Sequence, residues 1–134
     1  MDNALREKLF RQLKKADEKL NAAKKLLELR LLDDAVSRAY YAMFHAAKAL
    51  LEADGLYSKT HSGLLTLFAQ HFVKTGIIAK AFFDTLSSAK ELRESGDYEA
   101  FFSAEAGETK EIVEQAEAFV NECKRILLSR LQDK

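Results

Sequence analysis

Four polar side chains recur at helical spacing within the mostly apolar residues 34–51. Steps of three and four residues place them on one face of a helix: Arg38, Tyr41, His45 and Lys48. An imidazole can exchange a proton near neutral pH, and a guanidinium can hold a phosphate group. The residues alone leave two interpretations open. The face lines a wet cleft that binds a ligand, or Arg38 pairs with a carboxylate and His45 bonds to a backbone carbonyl or hydroxyl.

Two other positions could contact a ligand. His61 opens a predicted helix close to Gly63, where free backbone N–H groups can receive a phosphate. The alternative is simple capping of that helix. Arg93 lies near the end of a later predicted helix, where it could pair with Asp97 as a structural clamp or reach the face that carries Arg38.

Metal-dependent chemistry has no obvious ligand set in this sequence. The chain has three histidines and one cysteine, without Cys-x-x-Cys or His-Glu-x-x-His spacing. Cys123 lies among apolar residues and is predicted to be a thiol of the hydrophobic core. We therefore expect neither a metal ion nor a cofactor.

Composition limits the partners of such a site. The 134 residues suffice for one domain with its own core, and we expect a single domain over residues 1–134. The 21 basic and 21 acidic residues cancel, so any attraction for nucleic acid must come from a local patch. No apolar run approaches the ~20 residues of a membrane span, and the first residues lack the apolar stretch of a secretory signal. We expect a cytoplasmic protein that does not enter a membrane.

Hydrophobic periodicity predicts the helices that must position these side chains. Apolar residues at alternating three- and four-residue steps predict a first helix over roughly residues 3–30. Asp33 or Asp34 is expected to cap the second helix, which should run to about Asp54 and end at Gly55. Thr60 is expected to cap a third, shorter helix.

The second half of the chain follows the same pattern. The third helix should end near Gly76, and the fourth should begin at Ile77 or Ile78 and close at Gly96. A last helix carries one apolar face: Ile112, Ala116, Phe119, Cys123 and Ile126. Short connections favour antiparallel neighbours, so we predict an all-α, up-and-down antiparallel bundle of about five helices.

The second helix differs from the others because it is apolar around most of its circumference. Such a helix should be central in the bundle or lie in a subunit interface. We take this as a reason to expect a homo-oligomer, most simply a dimer.

Several separated motifs occur in a characteristic order: residues 37–51 (SRAYYAMFHAAKALL), Gly55, residues 59–63 (KTHSG), Leu92-Arg93 with Asp97-Tyr98, and a final helix with Ala116 and Phe119. In this order they resemble the HEPN family, specifically its small stand-alone branch in bacteria and archaea. The resemblance covers nearly the whole chain. It implies a dimeric bundle of four long helices and a short one, often encoded beside a minimal nucleotidyltransferase in toxin–antitoxin pairs.

The resemblance also implies a chemistry. Many HEPN proteins are metal-independent RNases that use an arginine and a histidine a few residues later, brought together across a dimer. Arg38 and His45 match this motif at the long end of its spacing, and they become the expected catalytic pair. Tyr41, Lys48, His61 and Arg93 become expected contacts to RNA or a nucleotide.

Two departures keep another function open. Active members usually carry a polar residue directly after the arginine, where this chain has Ala39. Arg38 and His45 are also almost two helical turns apart, about 10 Å at ~1.5 Å per residue. The alternative is a non-catalytic helical module that binds a nucleotide or a protein as a homodimer.

Overall fold

The computed structural model describes residues 2–98 and 105–132, and at residues 96–98 it describes the backbone alone. Its described residues form α-helices and no strand: α1 (Asn3–Glu28), α2 (Leu32–Ala53), α3 (His61–Phe68), α4 (Lys80–Tyr98) and α5 (Ala106–Gln132). A π-helical turn, Ala69–Val73, continues α3. The predicted all-α bundle is confirmed. Among the described helices, none combines the length and apolar character that crossing a membrane requires.

Helix α2 lies at the centre of the bundle and contacts α1, α3, α4 and α5. Small side chains allow this close approach, and six of its alanines are fully buried: Ala35, Ala39, Ala42, Ala46, Ala47 and Ala49. The apolar stripes of α1 and α5 pack into the same core. The chain itself therefore covers much of the apolar circumference of α2. That circumference alone does not require a second copy.

The starts of the helices only partly follow the predictions. Thr60 does cap α3, because its side-chain oxygen accepts a hydrogen bond from the backbone N–H of Gly63 at 2.9 Å. The predicted cap of α2 is wrong. The helix begins at Leu32 after Leu31, which gives no side-chain cap, and Asp33 and Asp34 lie inside the first turn. There the carboxylates still face the positive end of the helix dipole.

Glycines end two segments in the left-handed region, as predicted for Gly55 and Gly76, with φ of 74° and 79°. The predicted start of α4 at Ile77 or Ile78 is early, since the helix begins at Lys80. Ile78 instead turns into the core, where it is 1% exposed, and its backbone N–H donates to the carbonyl of Phe72 at 2.8 Å. The side chain of Ile78 thus anchors the loop before α4 in the core and does not belong to the helix.

Candidate functional site

The face of α2 that carries the four polar side chains lies at the border between core and solvent. Arg38 is exposed, while Tyr41, His45 and Lys48 are partly buried. The opposite side of α2 is locked into the core, which fixes the direction of this face. The structure therefore bears out the shared face expected from the spacing.

His45 is oriented by a residue from another helix. Its Nδ1 lies 2.9 Å from Oε1 of Gln12, which belongs to α1. An amide oxygen can only accept a hydrogen bond, so Nδ1 of His45 donates. In the neutral imidazole the other nitrogen, Nε2, then has no proton and can act as a base.

The surroundings of His45 disfavour its charged form. Burial lowers its pKa from 6.5 to about 4, and the positive charges of Lys15, Lys48 and Lys19 act in the same direction, with a smaller effect from His61. The imidazole is consequently neutral near neutral pH. Its electrostatic surroundings also indicate that cations of both α1 and α2 face this ring.

Arg38 stands apart from His45. It makes no hydrogen bond or ion pair with the residues that the structure describes, and along the helix it lies about 10 Å from His45. One chain therefore does not bring the expected catalytic pair to a single phosphate. Its guanidinium remains available to a ligand or to another protein chain.

His61 belongs to an aromatic cluster between α2 and α3. Its Nδ1 is 2.7 Å from the hydroxyl of Tyr40, and its ring stacks on Phe44 with centroids 4.3 Å apart. Tyr41 meets the same imidazole edge-on at 5.8 Å. Burial and then the charge of Arg93 lower the pKa of His61. The N–H of Gly63 already bonds to Thr60, so this helix start is at least partly capped.

Arg93 reaches α2 from α4. Its guanidinium carbon lies 5.5 Å from the ring centroid of Tyr40 and 5.1 Å from that of Tyr41. The predicted alternative contact to Asp97 falls on a side chain outside the described residues. Burial raises the pKa of Tyr40, while Arg93 opposes this rise, so the Tyr40 hydroxyl stays protonated.

The expected ligand contacts thus form two neighbouring groups. His61, Arg93 and Tyr41 join the aromatic cluster, whereas Lys48 lies close enough to His45 and His61 to lower the pKa of both. Phe44 connects the groups, since its ring also meets His45 edge-on at 5.6 Å.

Sequence reasoning missed Gln12, Tyr40 and Phe44 as parts of this region. Tyr40 and Phe44 both contact His61 across the interface between α2 and α3. A signal for Gln12 existed: it is a polar residue next to Leu13 at the edge of the apolar stripe of α1. The pairing of Gln12 with His45 depends on how α1 and α2 align, which periodicity does not specify.

Two other chemistries find no support in the described part of the chain. It contains no group of three histidine, cysteine, aspartate or glutamate side chains placed to hold a metal ion. Cys123 is buried, and burial raises the pKa of its thiol. It lies in the core as predicted, where it is a poor nucleophile.

Comparisons with known proteins agree on one family. The HEPN domain model matches residues 11–126. The Methanocaldococcus jannaschii protein named "Putative toxin MJ0605" is 38% identical over 127 residues, which are 95% of this chain and 94% of that protein. A Thermotoga maritima protein named "UPF0332 protein" is 37% identical, over 85% of this chain and 86% of its own length.

A solved structure shows the same fold at low sequence identity. The crystal structure of TT1696 from Thermus thermophilus matches with a TM-score of 0.73 and 18% identity, over 92% of this chain and 98% of that one. The fold therefore agrees with the sequence matches. From the domain match and these relatives, the chain belongs to the HEPN family.

Proposed function

We propose that this chain is a toxin-like HEPN protein that cleaves RNA without a metal ion. His45 transfers the proton and Arg38 contacts the phosphate. The observation that carries this proposal is the arrangement of His45: Nδ1 donates to Gln12, which leaves a neutral Nε2 as the acceptor. The name of the relative in M. jannaschii supports the toxin-like role.

The chemistry is an internal transfer at phosphorus. Nε2 of His45 takes the proton of an RNA 2′-hydroxyl, and the 2′ oxygen forms a bond to the adjacent phosphorus. The bond from phosphorus to the 5′ oxygen breaks, and that oxygen takes a proton from solvent or from the imidazolium. Arg38 stabilises the negative charge of the phosphoryl oxygens. The products are a 2′,3′-cyclic phosphate and a 5′-hydroxyl.

The distance between Arg38 and His45 favours a homodimer. A second copy can place its Arg38 beside His45 of the first, and a twofold axis then creates two equal sites. We further propose a minimal nucleotidyltransferase as the protein partner, on the resemblance to paired HEPN proteins. Reduced toxicity on co-expression with an adjacent gene of that type would support this partner.

A second candidate is a non-catalytic module that binds a nucleotide or protein. The low pKa of His45 favours it, because a weaker base accepts a proton less effectively near neutral pH. His61 and Arg93 are also engaged with aromatic side chains, an arrangement suited to holding a planar base.

Cleavage of RNA in the presence of EDTA separates the two functions. We expect 2′,3′-cyclic phosphate ends from the unaltered protein and no cleavage by His45→Ala or Arg38→Ala. Lys110→Ala, an exposed position on α5, is the control and should cleave normally. Circular dichroism confirms that each variant is folded. Activity that disappears with EDTA, or survives in folded His45→Ala, would overturn the proposal.

A further inference from the structure

A row of cations lies on the face of α1 next to the candidate site. Steps of three and four residues separate its members: Lys8, Arg11, Lys15 and Lys19. Three of them, together with Gln12, line a groove of about 320 Å³. We call Lys8, Arg11, Lys15 and Lys19 the α1 cation row.

The groove opens beside His45. Gln12 lines the groove and also accepts the hydrogen bond from His45. Lys15 and Lys19 lie near enough to disfavour a charge on His45, as does Lys48 of α2. A ligand in the groove would therefore lie next to Gln12, the residue that orients the imidazole.

Positive charge is concentrated here, although the whole chain has no net charge. Some other cations on the bundle pair with carboxylates, as Lys124 does with Asp17 and Arg130 with Asp54. Within the described part of the chain, Arg11, Lys15 and Lys19 have no such carboxylate partner, and Lys8 has only a 3.8 Å contact to Glu52. This is the local patch that attraction to a polyanion requires.

An exposed aromatic ring adjoins one end of the row. Tyr57 is 59% exposed, and Nζ of Lys8 lies 4.8 Å from the centroid of its ring. Proteins that bind single-stranded nucleic acid combine a basic groove with rings on which bases stack. An acidic protein surface could pair with the cations, but it would not explain the exposed ring. A single-stranded nucleic acid accounts for both.

We propose that the α1 cation row binds successive phosphates of a single-stranded nucleic acid and leads the strand to His45, with one base stacked on Tyr57. The Cβ atoms of neighbouring residues on a helix face are about 5–6 Å apart. The regularly spaced cations can therefore contact the regularly spaced phosphates of a strand. The direction of the strand rests on the proposed function of His45, whereas binding itself does not.

The test is the binding of a fluorescently labelled 2′-O-methyl RNA of about twelve nucleotides, within the range of known single-strand sites. This probe lacks the attacking 2′-hydroxyl, so the proposed reaction cannot cleave it. The double variant with Arg11→Gln and Lys15→Gln removes two proposed phosphate contacts. Because each contact contributes about 0.7 to the magnitude of the slope of log K against log salt, that magnitude should fall by about 1.4. The control, Lys74→Gln with Lys110→Gln, removes the same charge from two exposed positions and should leave the slope unchanged.

Stacking has its own pair of variants. Tyr57→Ala should weaken binding of the same probe about tenfold, and Tyr57→Phe should keep it, because the ring and not the hydroxyl provides the stacking surface. Equal slopes for the two double variants, or no binding by the unaltered protein, would overturn the proposal. Binding with these slopes, but without cleavage of ordinary RNA, would support the cation row and contradict only the proposed RNase function.

Discussion

At His45, one hydrogen bond decides which nitrogen is available for chemistry. Gln12 accepts the hydrogen bond from Nδ1, which leaves Nε2 without a proton, and the cations Lys15, Lys48 and Lys19 lie near the ring. The same cations that lower the basicity of His45 would also attract a phosphate. Binding an anionic ligand should partly cancel their effect and return the pKa of His45 towards its ordinary value.

We predict that Gln12→Ala removes the fixed tautomer of His45. Nitrogen NMR of the imidazole should show a protonated Nδ1 in the unaltered protein and a mixture of tautomers in the variant. RNA cleavage should fall about tenfold, the equivalent of about 1 to 1.5 kcal/mol for one neutral hydrogen bond. Gln12→Glu keeps the acceptor and should keep the tautomer. An unchanged imidazole spectrum in folded Gln12→Ala would contradict the positioning role.

Stability should depend on pH through the same residue. The pKa of His45 is about 4 when folded and near 6.5 when unfolded, so the unfolded chain binds more protons between these values. The free energy of unfolding should therefore fall by about 1 to 3 kcal/mol as the pH drops through this window, less than the full shift implies because the ring is partly exposed.

Urea unfolding at several pH values measures this dependence. His45→Gln should flatten the curve, with a residual slope from His61, whose pKa is also lowered by burial. Identical pH dependence in the two proteins would show that His45 does not have the proposed environment.

At the scale of elements, the start of α3 holds His61 against α2. Thr60 caps the helix, and Ser58 bonds to the backbone of Thr60 at both its N–H and its carbonyl. Gly63 fits because it has no side chain: a Cβ there would lie 2.4 Å from Oγ of Ser58 and 2.8 Å from Oγ1 of Thr60. The capping hydrogen bonds of Ser58 and Thr60 therefore depend on the absence of a side chain at Gly63.

We predict that Gly63→Ala destabilises the protein by about 1 to 2 kcal/mol, because the added methyl group displaces hydrogen bonds worth about 1 kcal/mol each. The control is Gly107→Ala in α5, where a Cβ meets nothing within 4 Å. It should be neutral or slightly stabilising, since alanine favours the helix. Thermal unfolding compares them, and equal melting temperatures would contradict the crowding at Gly63.

Sequence periodicity predicted the elements well and their contacts poorly. The apolar face of α1 and the central position of α2 follow from side-chain type and spacing, which can be read directly from the local sequence. The start of α2 at Leu32 and the inward turn of Ile78 depend on packing between distant segments. For the same reason the shared face of Arg38 and His45 was predictable, whereas the contact of His45 with Gln12 was not.

At the scale of the whole molecule, a chain without net charge carries a local row of cations on one face of α1. The α1 cation row lies beside His45, whose partner Gln12 lines the same groove, whereas Arg38 lies about 10 Å from His45 along α2. The apolar residues of α2 are mostly buried within one chain, so a dimer interface is expected on other parts of the surface. The proposed function requires a second copy because Arg38 and His45 of one chain are too far apart to contact one phosphate.

The most direct test mixes two inactive variants, Arg38→Ala and His45→Ala, after unfolding and refolding them together. A composite dimer site takes His45 from one copy and Arg38 from the other, so half of the mixed dimers' sites are intact and about a quarter of the normal RNA cleavage should return. Sedimentation of differently tagged copies confirms that mixed dimers form. If mixed dimers are present and cleavage stays absent, Arg38 and His45 do not act together across two copies.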